Sequence, residues 1–265
     1  MAIVASSATK EELRDRILTA VTEMYSDVAS CPTKIFHFPT GRMACEFVGY
    51  PVEELNSIPT TVLESFAGVG YPFKANVIHQ GDSILDIGSG SGTDLLIAAF
   101  KTAYQGKVYG LDITDAMIEK AKANISGHGI NNVSILKGNA ESIPLPNNTI
   151  DVVTSNGVIN LVPDKAAAFQ EIFRVLKPGG YIQIADIVLR SNLSEKSRNN
   201  PQLWAECIVG AMPEETYLNI IEETGFHTVS VLERIDYFKN SASDSTKKVA
   251  RQYGAISIVL SAQKP

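Results

Sequence analysis

The spacing of apolar and polar positions along this 265-residue chain changes character near residue 80. Before that point, Leu13, Ile17, Val21, Met24 and Val28 recur at helical spacing, so the pattern predicts an amphipathic opening helix running to about residue 29. Thr9 and Glu12 stand at the spacing of a capping box ahead of it. The stretch CPTKIFHFPTGRMACEFVGYPVEELNSIP that follows is punctuated by Pro and Gly, which predicts short helices and loops, not a separate domain. From Ser83 the pattern becomes short apolar runs alternating with helical ones: SILDI, DLLIAAFKTA, VYGLD, AMIEKAKANI, VSILKG, IDVVTSN, DKAAAFQEIFRVL and YIQIADIVL. Such alternation predicts a parallel sheet with helices on both faces and a ligand site beyond the carboxyl ends of the strands.

Two later stretches break the alternation. RSNLSEKSRNNPQLWAECIVGAM is polar and then aromatic and reads as an insertion over the site, a lid near residues 190–212. The helix Glu214 to Thr224 that follows should stop at Gly225. TVSVLERIDYF and GAISIVLSAQ then read as two strands joined by the polar loop KNSASDSTKKVARQY, which predicts antiparallel pairing at one edge of the sheet. The expected organisation is an N-terminal helical cap over the site, residues 1–80, and an α/β core, residues 81–265.

Composition narrows the partners. A chain with 45% hydrophobic residues is sufficient for one full core. A net charge of −6 argues against nucleic acid, whose binding depends on clustered Lys and Arg, and leaves a small molecule as the expected partner. No apolar run is long enough to cross a bilayer, and the N-terminus turns polar too early for a signal-peptide core. The expectation is a soluble, cytoplasmic protein without a membrane partner, its oligomeric state left open. Three widely spaced cysteines, Cys31, Cys45 and Cys207, suit reduced thiols better than a disulfide framework. Four scattered His and no Cys-x-x-Cys give no expectation of a structural metal site.

The candidate chemistry begins at ILDIGSGSGTD, residues 84 to 94. Gly88, Gly90 and Gly92 permit a tight turn and close approach of backbone to ligand, while the next helix presents its N-terminal amides. A dinucleotide fingerprint needs its third glycine one residue later than here, which weakens the reading of a nicotinamide cofactor. Asp112, ending the second strand 24 residues beyond Gly88, is suited to ribose hydroxyls in either case. Asp86 tips the balance, because a carboxylate within the strand opposes a pyrophosphate and can orient the amino group of a cationic ligand. The turn therefore favours a sulfonium cofactor.

At this point the chain resembles a known family. LDIGSGSGTD, LDIT, GNAESIPLP, IDVVTSN and RVLKPGGYIQIAD look like the successive motifs of class I S-adenosylmethionine-dependent methyltransferases, in their usual order, over residues 80 to 188. The resemblance implies a Rossmann-like, seven-stranded, mostly parallel sheet with an antiparallel edge strand, and S-adenosylmethionine as cofactor. It further implies Gly88, Ser89 and Gly90 against the methionine portion, Asp112 on the ribose, Ile113 on the adenine face, Asn139 and Ala140 at the adenine edge, Asn156 near the reacting methyl, and Tyr25 as an aromatic cover.

SNGVINLVPDKAAAFQEIFRVLKPGG, PQLWAECIVGAM, FHFPTGR and the GVGYP turn look most like arsenite methyltransferases. Those enzymes hold trivalent arsenic on cysteine thiolates. Here Cys207 matches such a ligand, whereas the strand-end position is Gly157 and the turn position is Val69; Cys31 and Cys45 remain as possible partner thiols. The catalytic candidates are Cys207, Asn156 and His37. For an oxygen or nitrogen acceptor the general-base candidates by type are His37, Asp186, Glu206 and Tyr25. Arg42 would brace its loop or hold a substrate anion, and Trp204 and Phe38 would wall a pocket or close it. The reading is methylation of a small molecule, arsenite or another soft nucleophile, with a carbon, oxygen or nitrogen centre of a metabolite as the alternative. An NAD(P)-dependent oxidoreductase and a non-catalytic cofactor-binding protein are the rivals from other classes.

Overall fold

The structure is a computed structural model that describes residues 10–193 and 208–265. Its opening helix α1 (Lys10–Ser30) has the expected extent, and the expected cap Thr9 lies outside the described residues. Three short helices follow, α2 (Gly41–Phe47), α3 (Val52–Asn56) and α4 (Thr60–Leu63). Pro51 and Pro59 stand extended immediately before α3 and α4, where a proline fixes the entry of the chain without removing a helix hydrogen bond.

Seven strands then form one sheet: β1 (Ser83–Ile87), β2 (Lys107–Asp112), β3 (Val133–Lys137), β4 (Ile150–Asn156), β5 (Leu176–Val188), β6 (His227–Ile235) and β7 (Ile256–Gln263), in the order β3-β2-β1-β4-β5-β7-β6. Helices α5 (Thr93–Thr102), α6 (Asp115–Ser126) and α7 (Lys165–Val175) connect parallel neighbours. Strand period and burial agree: Ile84 and Val152 point into one core with Leu95, Leu96 and Met117, whereas their successors Leu85 and Val153 point into the other with Phe169, Ile172 and Tyr217. Buried on both faces, these strands read as continuous apolar runs.

Helix α8 (Glu214–Thr224) ends at Gly225, whose φ of 111° is the left-handed stop expected there. The antiparallel pairing expected at one edge is present, because β7 runs against both β5 and β6; β7 is itself one place in from the edge that β6 forms. The expectation of a loop without a core helix between these strands needs correction. Helix α9 (Asp244–Tyr253) lies there, started by the Ser243 side chain, which accepts from the Thr246 amide. Only Thr246 and Ala250 of α9 are buried, so its polar composition reflects a mostly solvated helix.

The N-terminal segment docks on the sheet's partners at several points. Lys120 of α6 donates to Glu64 (2.6 Å), Ser65 (2.8 Å) and the Ala29 carbonyl (3.1 Å), and Lys101 of α5 pairs with Glu54 of α3 at 2.7 Å. Of the expected lid, residues 194–207 lie outside the described residues; its flanks Leu193, Ile208 and Val209 are buried, and the Leu189 amide bonds the Met212 carbonyl.

Candidate functional site

Strand order reverses at β1, whose neighbours β2 and β4 are reached by connections leading in opposite directions. The cavity lies at that switch point, as the parallel topology requires. Its floor is the turn between β1 and α5, where Gly88 and Gly90 have φ of 72° and 52°. The Gly88 and Ser89 amides both donate to the Leu111 carbonyl at the end of β2, at 2.7 and 3.1 Å. A Cβ on Gly88 would stand 2.2 Å from Val158, so only glycine lets this turn approach the loop after β4.

Asp86, Ser89 and Asp112 line the cavity. Asp112 Oδ2 accepts from the Gly90 amide (2.9 Å) and Oδ1 from the Thr114 amide (2.8 Å), which fixes the carboxylate between the two turns. Burial raises its pKa and those amides oppose the rise. Asp86 is buried, its Oδ2 has no hydrogen-bond partner, and burial first and the neighbouring Asp94 next push its pKa well up. Ser89 Oγ is likewise buried without a partner. Buried polar atoms are nearly always satisfied, so the orphaned oxygen of the cavity-lining Asp86 marks a place where a ligand completes the bonding, whereas Ser89 Oγ is packed toward Gly110 of β2. Ile113, Asn139 and Ala140 line the same cavity.

The N-terminal segment supplies another wall. Leu18, Val21 and Tyr25 of α1 face the cavity, with Phe66, Ala67 and Gly68 from the turn after α4. Tyr25 stacks on Phe38 with ring centroids 6.2 Å apart. Arg14 makes a two-bonded pair with Glu141, whose side chain is 5% exposed and which also accepts from the Asn139 side chain at 3.1 Å. The helix is thus tied to the loop that carries Asn139.

Several sequence candidates lie elsewhere. Gly92 does not line the cavity; with φ of 103° it is the residue from which α5 starts, and it faces Ala121 and Leu95. His37 is outside the cavity, edge-on to Phe38, with Nε2 buried and unpartnered and burial lowering its pKa to about 4. In this position it contributes nothing to the cavity wall. Asp186 is also outside, a buried residue of β5 to which Tyr217 donates at 2.7 Å. Arg42 braces α2 against Asn56 at 2.7 Å. Cys31 is exposed after α1 and Cys45 is buried in α2, its thiol pushed up by burial; neither lines the cavity. Cys207, Trp204 and Glu206 lie outside the described residues. Among the described residues no group of three His, Cys, Asp or Glu is arranged to hold a metal ion.

Asn156 lines the cavity, but its amide is fully engaged. Oδ1 accepts from the Val69 and Gly70 amides (2.7 and 3.2 Å), and Nδ2 donates to the Gly70 carbonyl (2.9 Å), Tyr50 (2.9 Å) and Asp94 (3.0 Å). The side chain sews the N-terminal turn to the core instead of presenting a free group. The partners Tyr50 and Asp94 were not among the sequence candidates, although Asp94 ends the glycine motif. An acid in the first turn of a helix is ordinary on dipole grounds, and nothing in the local pattern links it to a tyrosine 44 residues earlier. Gly157 and Val69 also meet: a Cβ on Gly157 would stand 3.2 Å from Val69 Cγ1. The two positions where the resembled enzymes carry thiols are adjacent in space and hold none.

Comparison with known proteins is consistent with this geometry. A family model described as a methyltransferase domain matches residues 78–225. An arsenite methyltransferase of Halobacterium salinarum is 31% identical over 192 residues, covering 72% of this chain and 49% of that protein. A demethylmenaquinone methyltransferase of Geobacillus stearothermophilus is 34% identical over 103 residues, 39% of this chain and 44% of the relative. The chain thus spans about half the length of these curated relatives. The crystal structure of an arsenic(III) S-adenosylmethionine methyltransferase from Chlamydomonas reinhardtii superposes with a TM-score of 0.67 at 29% identity, over 80% of this chain and 72% of the other. With the matched region extending over more than half of its residues, this chain belongs to the methyltransferase-domain family.

Proposed function

We propose that this chain binds S-adenosylmethionine over the β1–α5 turn and methylates a small molecule that enters beside it. The observation that carries the reading is the pairing of a glycine cradle with a buried, unpartnered Asp86 oxygen and no cationic side chain among the described residues that line the cavity. An acid so placed ionises most readily against a positive ligand, whereas a pyrophosphate would oppose its ionisation, which separates this reading from an NAD(P)-dependent oxidoreductase. Gly88, Ser89 and Gly90 would hold the methionine portion, Asp86 its amino group and Asp112 the ribose. Ile113, Asn139 and Ala140 would hold the adenine, and Tyr25 would cover it. When bound, the cofactor supplies an electrophilic methyl group on a sulfonium. The protein's part is to align the acceptor with it and to exclude water, which contributes up to about 7–11 kcal/mol in well-oriented reactions.

The acceptor would sit against Phe66, Gly157, Val158, Leu161 and Val162, a largely apolar wall, and this favours a neutral, apolar small molecule. Arsenite is the second reading, supported by relatives so named and by Cys207, with Cys31 and Cys45 both away from the cavity. Calorimetric titration with S-adenosylhomocysteine, S-adenosylmethionine and NADH tests the cofactor; binding of NADH alone would overturn the reading. Single-turnover transfer from labelled cofactor to arsenite, thiols, phenols, quinols and amines, with wild type and Cys207→Ser, tests the acceptor. Arsenite turnover that is lost in Cys207→Ser supports the second reading, and transfer to phenols or quinols without arsenite turnover supports the first.

A further inference from the structure

Three buried carboxylates, Asp86, Asp94 and Asp112, share one cavity, and among the described residues that line it there is no cationic side chain. Asp86 and Asp112 fall to the cofactor in the reading above; Asp94 is left over. Its two oxygens are held by neutral donors, Oδ1 by the Tyr50 hydroxyl and Oδ2 by Asn156 Nδ2 at 3.0 Å. Neutral donors stabilise a carboxylate without cancelling its charge, so its field persists at this buried position, where charges are screened less than in bulk water. Asp86, 2% exposed and with its Oδ2 unpartnered, lines the same cavity.

Given S-adenosylmethionine as the ligand, on which this inference rests, we propose that Asp94, clamped by Tyr50 and Asn156, makes the cavity discriminate the positively charged methyl donor from its uncharged-sulfur product. Donor and product share the nucleoside and the amino acid portion, and differ by one methyl group and one positive charge on sulfur. Transfer of the methyl removes that charge and with it the attraction, so spent cofactor is the weaker ligand and leaves. The amino group common to both cancels from the comparison.

Ionisation of Asp94 sets the pH range of the effect. Burial raises its pKa to about 6 against the lowering by Tyr50 and Asn156. The other groups that bear on it are Asp86 on β1, Glu54 on α3, Cys45 on α2 and Tyr71. Of these Glu54 is paired with Lys101 at 2.7 Å. Donor preference is therefore present when Asp94 is ionised and declines as pH falls through about 6.

The test measures dissociation constants of S-adenosylmethionine, sinefungin, which carries an ammonium near the sulfonium position, and S-adenosylhomocysteine, with no acceptor present. Wild type at pH 7.5 should bind both cations at least about fivefold more tightly than the product. Asp94→Asn should bring all three to within about twofold while leaving product affinity unchanged. Tyr50→Phe removes a donor from the charged form and should shift the pH profile of the preference upward, which a purely structural role would not do. Equal preference in wild type and Asp94→Asn, or a pH profile unmoved in Tyr50→Phe, overturns the proposal. Binding of all three ligands without preference by wild type overturns it while leaving the cofactor reading intact, whereas failure of all three to bind defeats both.

Discussion

His37 Nε2 is buried without a partner, and burial alone lowers the pKa of the ring to about 4 from an ordinary 6.5. The unfolded chain takes up a proton as pH falls below 6.5, whereas the folded protein resists until about 4. Stability from this group is thus complete above pH 6.5 and lost across the window down to about 4. The loss should be of order 1–3 kcal/mol, and His37→Phe should lack that part of the pH dependence when urea unfolding is compared at pH 7 and 4.5. A second prediction concerns Asp112, which receives the Gly90 and Thr114 amides. Asn offers a single acceptor oxygen and no charge, so Asp112→Asn should weaken S-adenosylhomocysteine binding by roughly tenfold or more, read by calorimetry. Unchanged affinity would remove Asp112 from the ligand's contacts.

At the cavity wall, an element under tight packing is the turn Gly68–Gly70. A Cβ on Gly68 would stand 2.4 Å from Asn156 Nδ2 and 2.5 Å from Phe66, and one on Gly70 would stand 2.7 Å from Ala185 Cβ. The backbone of this turn is pressed between the ends of β4, β5 and β7, held by the Asn156 amide. Overpacking of so close an approach costs about 1–3 kcal/mol. Gly68→Ala should therefore lower the urea midpoint and, by pushing Asn156 aside, weaken cofactor binding as well; stability and affinity both at wild-type values would show that the turn can yield. The sequence marked GVGYP through a family resemblance, but of the neighbours that press on its glycines Asn156 and Ala185 lie more than 80 residues further along the chain. Helix α9 shows the opposite difficulty: its composition is that of a loop, and it holds because Ser243 caps it and Ala250 reaches the core.

For the whole molecule, the consequence is that α1 must be considered part of the site. Leu18, Val21 and Tyr25 wall the cavity, and the Arg14–Glu141 pair ties the helix to the loop carrying Asn139. Arg14→Ala leaves a largely buried carboxylate without its cation, a loss of about 1–3 kcal/mol. Stopped-flow release of S-adenosylhomocysteine should quicken several-fold, with faster amide exchange along α1; an unaltered release rate would show that α1 does not gate the cavity. By itself the sequence determined the alternation of strands and helices, the glycine turn with Asp86 and Asp112, and the stop of α8 at Gly225, since each depends on residues close together in the chain. Only the tertiary structure decided that His37 and Asp186 stay outside the cavity, that Asn156 is spent on the N-terminal turn, and that Tyr50 and Asp94 meet within it. Those facts depend on contacts between distant segments, where a side chain's chemistry is set by what the fold brings against it and local spacing carries no signal.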